Sequence, residues 1–185
     1  MAGADLAFEV RIINGIDESY PDDMPAGRIA EFISKKKAAA YIASMADNEL
    51  IVTADTVVVA KEKTDVGKEK TEAGKDMILG KPADADDARR MLRLLSGCTH
   101  QVITGVTLTT KDRQKSFSVA TDVTFKQLSD EEIDYYIDRY KPFDKAGAYG
   151  IQEWIGYIGV TDIKGSYFNV MGLPIQRICD ALKAF

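Results

Sequence analysis

The residue of this chain most in need of a partner is Asp55, a lone acid inside the β-branched run Ile51 to Ala60, I-V-T-A-D-T-V-V-V-A. An ionised carboxylate on a buried strand costs several kcal/mol, to order of magnitude, unless it is paired, hydrogen-bonded or bound to a metal. Asp55 therefore calls for a cation, a metal ion or a helix terminus nearby. The cations on offer are Lys81, held in the tight turn Gly80-Lys81-Pro82, and one member of the triple run Lys35-Lys36-Lys37, of which a helix turns only part toward any cleft. Asp17-Glu18-Ser19 brings two further acids, and its plain reading is a turn closed by an Asx or serine hydrogen bond. Polar and small residues are densest in Asp144-Lys145-Ala146-Gly147-Ala148-Tyr149-Gly150-Ile151-Gln152. Small residues let a backbone approach a ligand, while Asp144, Lys145 and Gln152 supply a metal ligand or base, a phosphate-neutralising charge and a bidentate amide. A structural turn accounts for the glycines alone.

These groups need a scaffold, and hydrophobic periodicity outlines an α/β one. Helices are predicted near Ala26–Ala46, from Asp84 to a glycine stop at Gly97, from the capping-box sequence Ser129-Asp130-Glu131-Glu132 through Tyr140, and from Pro174 to the C-terminus. Strands are predicted at Leu50–Ala60, Val102–Thr109, Ser116–Lys126, Gly156–Ile163 and Tyr167–Met171, with a hairpin turn at Lys111 to Gln114 and a strand-like F-E-V-R-I-I before Asp17. Lys61 to Asp76 balances five lysines against five acids with hardly an apolar residue, the composition of a solvated loop.

Composition narrows the class. The 185 residues suffice for a single domain, and 45% hydrophobic with 29% charged residues is ordinary for a globular protein. A net charge of −5 argues against a nucleic-acid polymer as partner. No apolar run approaches the roughly 18 to 20 residues of a membrane span, so the expected compartment is the cytoplasm. Cys98 and Cys179 lack metal-ligand spacing and read as free thiols. The single histidine, His100, opens a strand, where a surface or capping role is expected ahead of catalysis.

Five segments in order, A-D-T-V-V-V, G-K-P with a helix ending L-S-G, H-Q-V-I-T-G-V, D-K-A-G-A-Y-G-I-Q and G-S-Y-F-N-V-M-G-L-P, resemble the Maf family of nucleoside triphosphate pyrophosphatases, over most of the chain from about Glu9 onward. The resemblance implies an elongated mixed sheet with flanking helices, two lobes around a nucleotide-binding cleft, and a chain that is often a homodimer. The subgroup hydrolysing dTTP and UTP carries threonine after the strand aspartate and glutamine after A-Y-G-I, whereas the subgroup acting on methylated GTP carries D-Q at the first place. Thr56 and Gln152 match the dTTP/UTP type. By resemblance, then, Asp55 is the general base or metal-linked carboxylate, and Thr56 and Gln152 select the base. Glu18, Lys37, Lys81 and Lys145 surround the triphosphate, and Mg²⁺ or Mn²⁺ is held by Glu18 and Asp55. The implied reaction is attack of water on the α-phosphorus of dTTP, UTP or modified pyrimidine nucleotides with loss of pyrophosphate.

Two departures set further expectations. The family's S-x-S-P-R-R loop, whose serine and arginines contact phosphate, does not occur in the sequence, which starts at Met1-Ala2-Gly3 as though just past it. Absence of the preceding strand would leave a sheet edge open, and absence of the arginines would weaken phosphate binding. Lys61 to Asp76 reads as an insertion that spares the cleft. The alternative to an enzyme is a catalytically impaired nucleotide-binding regulator, linked, as Maf-like proteins have been, to septum formation or cell-division arrest.

Overall fold

A computed structural model describes residues 1–61 and 76–185. The strands β1 (Ile51–Lys61), β2 (Asp76–Leu79), β3 (Thr99–Thr109), β4 (Gln114–Phe125) and β5 (Val160–Lys164) form one sheet in the order β2-β1-β3-β4-β5. Where the resemblance implies a mixed sheet, every strand pairing among the described residues is antiparallel. The helices are α1 (Ala26–Tyr41), α2 (Ala85–Leu95), α3 (Asp130–Tyr140), α4 (Trp154–Gly159), α5 (Tyr167–Val170) and α6 (Ile175–Lys183). The α/β class follows from this interleaving. Apart from residues 61 and 76, which pair with each other across β1 and β2, the predicted insertion lies outside the described residues.

Strand alternation sorts the core into two layers. Val57, Val59 and Ile103 face α1 and pack on Ile29 and Ile33. On the opposite face Val58, Val102, Val123 and Phe125 meet Leu92 and Leu95 of α2 and Ile133, Tyr136 and Ile137 of α3, while α6 covers Val106 and Leu108 with Ile178 and Ala181. The close seat of α1 depends on Gly105, directly opposite Asp55 in the register of β1 and β3. A Cβ there would stand 2.2 Å from the Ala30 carbonyl carbon and the Glu31 nitrogen, so any side chain at position 105 would push α1 off the sheet.

Capping is where local sequence reads through most directly. Asp84 caps α2 by accepting from Asp87 N at 2.8 Å, and Ser129 and Glu132 form the reciprocal box that starts α3. Gly97 follows α2 with φ near 69°, as a helix-stopping glycine does. Two predicted strands are corrected. Gly156–Ile163 is divided between α4 and β5, and Tyr167–Met171 is the one-turn helix α5, started by Ser166, whose hydroxyl accepts from Asn169 N at 3.3 Å. Both are short apolar runs without alternation, where period alone cannot separate strand from helix. The F-E-V-R-I-I stretch joins no sheet and leaves Val10 and Ile12 exposed, whereas β2, which no prediction included, is a four-residue edge.

His100 is also corrected: it is buried, between the rings of Phe125 and Tyr149, with Nε2 2.8 Å from the Tyr149 hydroxyl. Its strand position points it into the α2–α3 layer, and burial pushes its pKa down to about 4. An unfolded chain takes up that proton near the ordinary value of 6.5, the folded one only near 4, so acidification between the two favours the unfolded state. Between pH values of about 7 and 5 this amounts to about 2 kcal/mol. Urea denaturation should therefore show a steeper loss of stability over that range in the native sequence than in His100→Gln, and parallel slopes would contradict this placement of the ring.

Candidate active site

β2 pairs with β1 only from Val58 to Lys61, so Ile51 to Val57 has no outer partner strand among the described residues. Beside this open edge lies a cleft of about 540 Å³, within the roughly 300–1,000 Å³ usual for small-ligand sites. Its lining includes every residue given a site role from the sequence: Glu18, Lys37, Asp55, Thr56, Lys81, Asp144, Lys145 and Gln152.

Strand alternation delivers Asp55 and Thr56 to opposite faces of β1, and both reach the cleft because it wraps the free edge. On the α1 side, the three successive lysines fan around the helix: Lys35 pairs with Glu31, Lys36 with Asp17, and only Lys37 enters the cleft. Its ammonium lies 2.7 Å from Asp55 Oδ1 and 3.0 Å from Glu18 Oε1. Asp17 closes the expected turn by accepting from Ser19 N at 2.9 Å, and this turn presents Glu18. Lys81 Nζ stands 3.9 Å from Glu18 Oε2, a looser contact on a more exposed side chain.

Electrostatics here is a contest between burial and pairing. Burial lifts the Asp55 carboxyl above the ordinary carboxylate range, reinforced by the Glu18 charge, and Lys37 opposes this without cancelling it. Burial also opposes ionisation of Glu18 and Lys37, but there pairing wins: Glu18 is held below its usual value by Lys37 and Lys81, and Lys37 above its own by the two acids. The outcome is one cation shared by two carboxylates, Asp55 shifted up from its ordinary value and Glu18 shifted down from its own.

The opposite wall is the segment Asp144 to Gln152. Lys145 Nζ lies 2.8 Å from Asp144 Oδ1 and 3.2 Å from Glu153 Oε1. Glu153 in turn accepts from the Tyr136 hydroxyl, which itself accepts from Gly150 N at 3.0 Å. Neither Tyr136 nor Glu153 is among the site residues expected from the sequence, although an acid immediately after Gln152 is a visible signal. Of the two expected uses of the glycines, a structural turn and close approach to a ligand, Gly147 has the structural one. Gly147 adopts φ 69°, and its Cβ would meet the Val58 side chain at 2.9 Å, so it seats this segment on β1 rather than on a ligand. Gly147 N donates to the Gly80 carbonyl at 3.0 Å, which ties the Lys81 turn to the same wall. Gln152 is exposed at the mouth.

No group of three His, Cys, Asp or Glu side chains suited to a metal occurs among the described residues. Glu18 and Asp55, converging on one ammonium, nevertheless present hard oxygen donors at a single point. Two carboxylates suit a cation that keeps several waters and draws further oxygens from a phosphate, which is the habit of Mg²⁺. No helix among the described residues is long and apolar enough to cross a membrane.

A family model described as Maf-like protein matches residues 1–185. The chain is 55% identical over 183 residues to a dTTP/UTP pyrophosphatase of Phocaeicola vulgatus, covering 99% of this chain and 88% of that protein. It is 51% identical to a protein of the same description from Parabacteroides distasonis, covering 100% and 89%. A dTTP/UTP pyrophosphatase of Porphyromonas gingivalis is 45% identical over 187 aligned positions, covering 100% and 87%.

The geometry makes one test independent of any substrate. With Lys37→Met the two acids lose their shared cation, so carboxyl resonances of Asp55 and Glu18 followed by NMR should both titrate at higher pH than in the native sequence. Unmoved titrations would mean that the Lys37 bridge is not formed in solution.

Proposed function

The chain belongs to the Maf family, and from that premise we propose that it is a nucleoside triphosphate pyrophosphatase that hydrolyses dTTP and UTP to the monophosphate and pyrophosphate. The observation that carries this reading is the Lys37 bridge between Asp55 and Glu18, set in a cleft with Lys81 and Lys145 on its other side. The names borne by relatives 45–55% identical over nearly the whole chain support the substrate class.

The chemistry asks for a base on one side of the α-phosphorus and positive charge where the leaving oxygens gain negative charge. Asp55 is the base: its raised pKa strengthens its hold on a proton taken from water, and Lys37 keeps the carboxylate oriented while stabilising its charge. Lys81 and Lys145 face the leaving pyrophosphate. Lys145 is drawn away from solvent by Asp144 and Glu153, which also raise its pKa against the effect of burial and keep it charged. Lys81, loosely held, is free to follow the phosphates. Glu18 and Asp55 would hold a divalent cation, Mg²⁺ or Mn²⁺, which supplies further charge neutralisation for the triphosphate. Thr56 and Gln152 contact the base, Gln152 through an amide that both donates and accepts.

Pyrophosphate release across dTTP, UTP, CTP, ATP and GTP, with Mg²⁺ or Mn²⁺, tests the proposal. Release should be strongest with dTTP and UTP. Asp55→Asn should reduce it by about a hundredfold or more while leaving UTP binding within a few-fold, roughly, of the native value, and Gln152→Ala should blur base preference more than it weakens phosphate binding. Native-like turnover in Asp55→Asn, or silence across the panel, would overturn the reading.

A further inference from the structure

Behind Thr56, on the face of β1 away from α1, runs a chain of hydroxyl and carbonyl groups that the proposed reaction does not use. Thr56 Oγ1 is 2.9 Å from Thr104 Oγ1, its direct cross-strand neighbour on β3. Thr104, fully buried, is 3.0 Å from the backbone carbonyl of Asn169. A carbonyl only accepts, so the single proton of the Thr104 hydroxyl goes to Asn169. With that proton spent, Thr104 must accept from Thr56, and Thr56 spends its own proton inward. Reversing the chain would set Thr104 oxygen against carbonyl oxygen at 3.0 Å with no proton between them.

The Asn169 carbonyl is itself held still. The Asn169 side chain is fully buried, and its Nδ2 donates to the Val102 carbonyl at 3.1 Å and to Thr121 Oγ1 at 3.0 Å, which fixes the amide orientation because Val102 O cannot donate. Thr121 Oγ1 also accepts from Ser166 N at 3.1 Å. The G-S-Y-F-N-V-M-G segment is thus pinned across β3 and β4 at the point where its carbonyl meets Thr104.

We infer that Thr104 and Asn169 are positioning residues that lock the Thr56 hydroxyl as a hydrogen-bond acceptor toward the cleft, so that Thr56 takes a base bearing a ring N–H and rejects one bearing a bare ring nitrogen. This rests on the reading of Thr56 as a base contact. Uracil and thymine carry N–H at the ring position flanked by their two carbonyls, whereas cytosine presents a lone pair there. Gln152 cannot enforce the difference by itself, because an exposed amide rotates to match either pattern. A hydroxyl of fixed polarity cannot adapt, and two acceptors facing each other in a cleft are left unpaired.

The test compares kcat/KM for UTP and CTP in the native chain, Thr104→Val and Thr104→Ser, with thermal melting to verify folding. The native chain should prefer UTP. Thr104→Val, which frees the Thr56 proton, should lose about tenfold or more of that preference, chiefly through improved use of CTP, and Thr104→Ser should keep it. A folded Thr104→Val with the native UTP-to-CTP ratio would overturn the inference. Should Thr104→Val not fold, the native chain decides with UTP and its ring-N-methylated analogue: equal use of the two would overturn the inference, and poor use of the methylated form would support it. Absence of hydrolysis by the native chain would strike the pyrophosphatase reading instead, and the UTP and CTP comparison, repeated as calorimetric binding to the native and Thr104→Val chains, then decides the hydroxyl polarity by the same two outcomes.

Discussion

The Lys37 ammonium is the hinge of the candidate site. A strand that buries Asp55 is stable only if something offsets the desolvated charge, and α1 supplies it from across the α1–sheet interface. This couples the chemistry to the fold. Lys37 reaches Asp55 because α1 lies close on β1 and β3, α1 lies close because position 105 has no side chain, and Gly105 sits opposite Asp55 in the strand register. Breaking a partly buried pair of this kind from one side typically costs about 3 kcal/mol or more, because the remaining charge is stranded. The same bridge gathers Glu18 from a loop with no regular structure, so one cation orders two acids that are remote in sequence.

The second constraint is the short edge strand. If β2 extended along the whole of β1, the backbone beside Asp55 and Thr56 would be covered and the two side chains, on opposite faces, would open onto separate surfaces. Ending the β1–β2 pairing at Val58 leaves an edge around which one cleft can gather residues from both faces. Open edges invite unwanted strand pairing. Here the region is bordered by charged side chains, Lys37, Lys81 and Lys145 among them, which suits an anionic ligand better than a neighbouring strand.

Much of this was legible in the sequence, and the reasons differ by element. Long helices with full apolar periodicity and strong caps, such as the one opened by Ser129 and Glu132, announce themselves because local and tertiary preferences agree. The one-turn helix α5 does not, since four residues carry no period and its signal was the Ser166 cap rather than its apolar content. An acid in a buried strand marked Asp55 on physical grounds alone, and local context pointed to Glu18, the lysine run holding Lys37, Lys81, Lys145 and Gln152, while the resemblance to the Maf family added Thr56 and gave each residue a role; all of these line one cleft. What stayed hidden was the supporting layer: Tyr136 and Glu153 behind Lys145, and Thr104 and Asn169 behind Thr56. Threonines on a strand and an asparagine in a short apolar run look like ordinary sheet and loop residues until register brings them together. His100 was misread for the converse reason, because a polar side chain at a strand start gives no sign of which face it takes.

The measurement that bears most directly on the account is the fate of the attacking oxygen. UTP hydrolysed in heavy-oxygen water, with products followed by phosphorus NMR, should give UMP carrying the label and unlabelled pyrophosphate, as expected if Asp55 delivers water to the α-phosphorus. Label in pyrophosphate, or release of inorganic phosphate and UDP, would contradict it by placing the attack at a phosphorus other than the α-phosphorus.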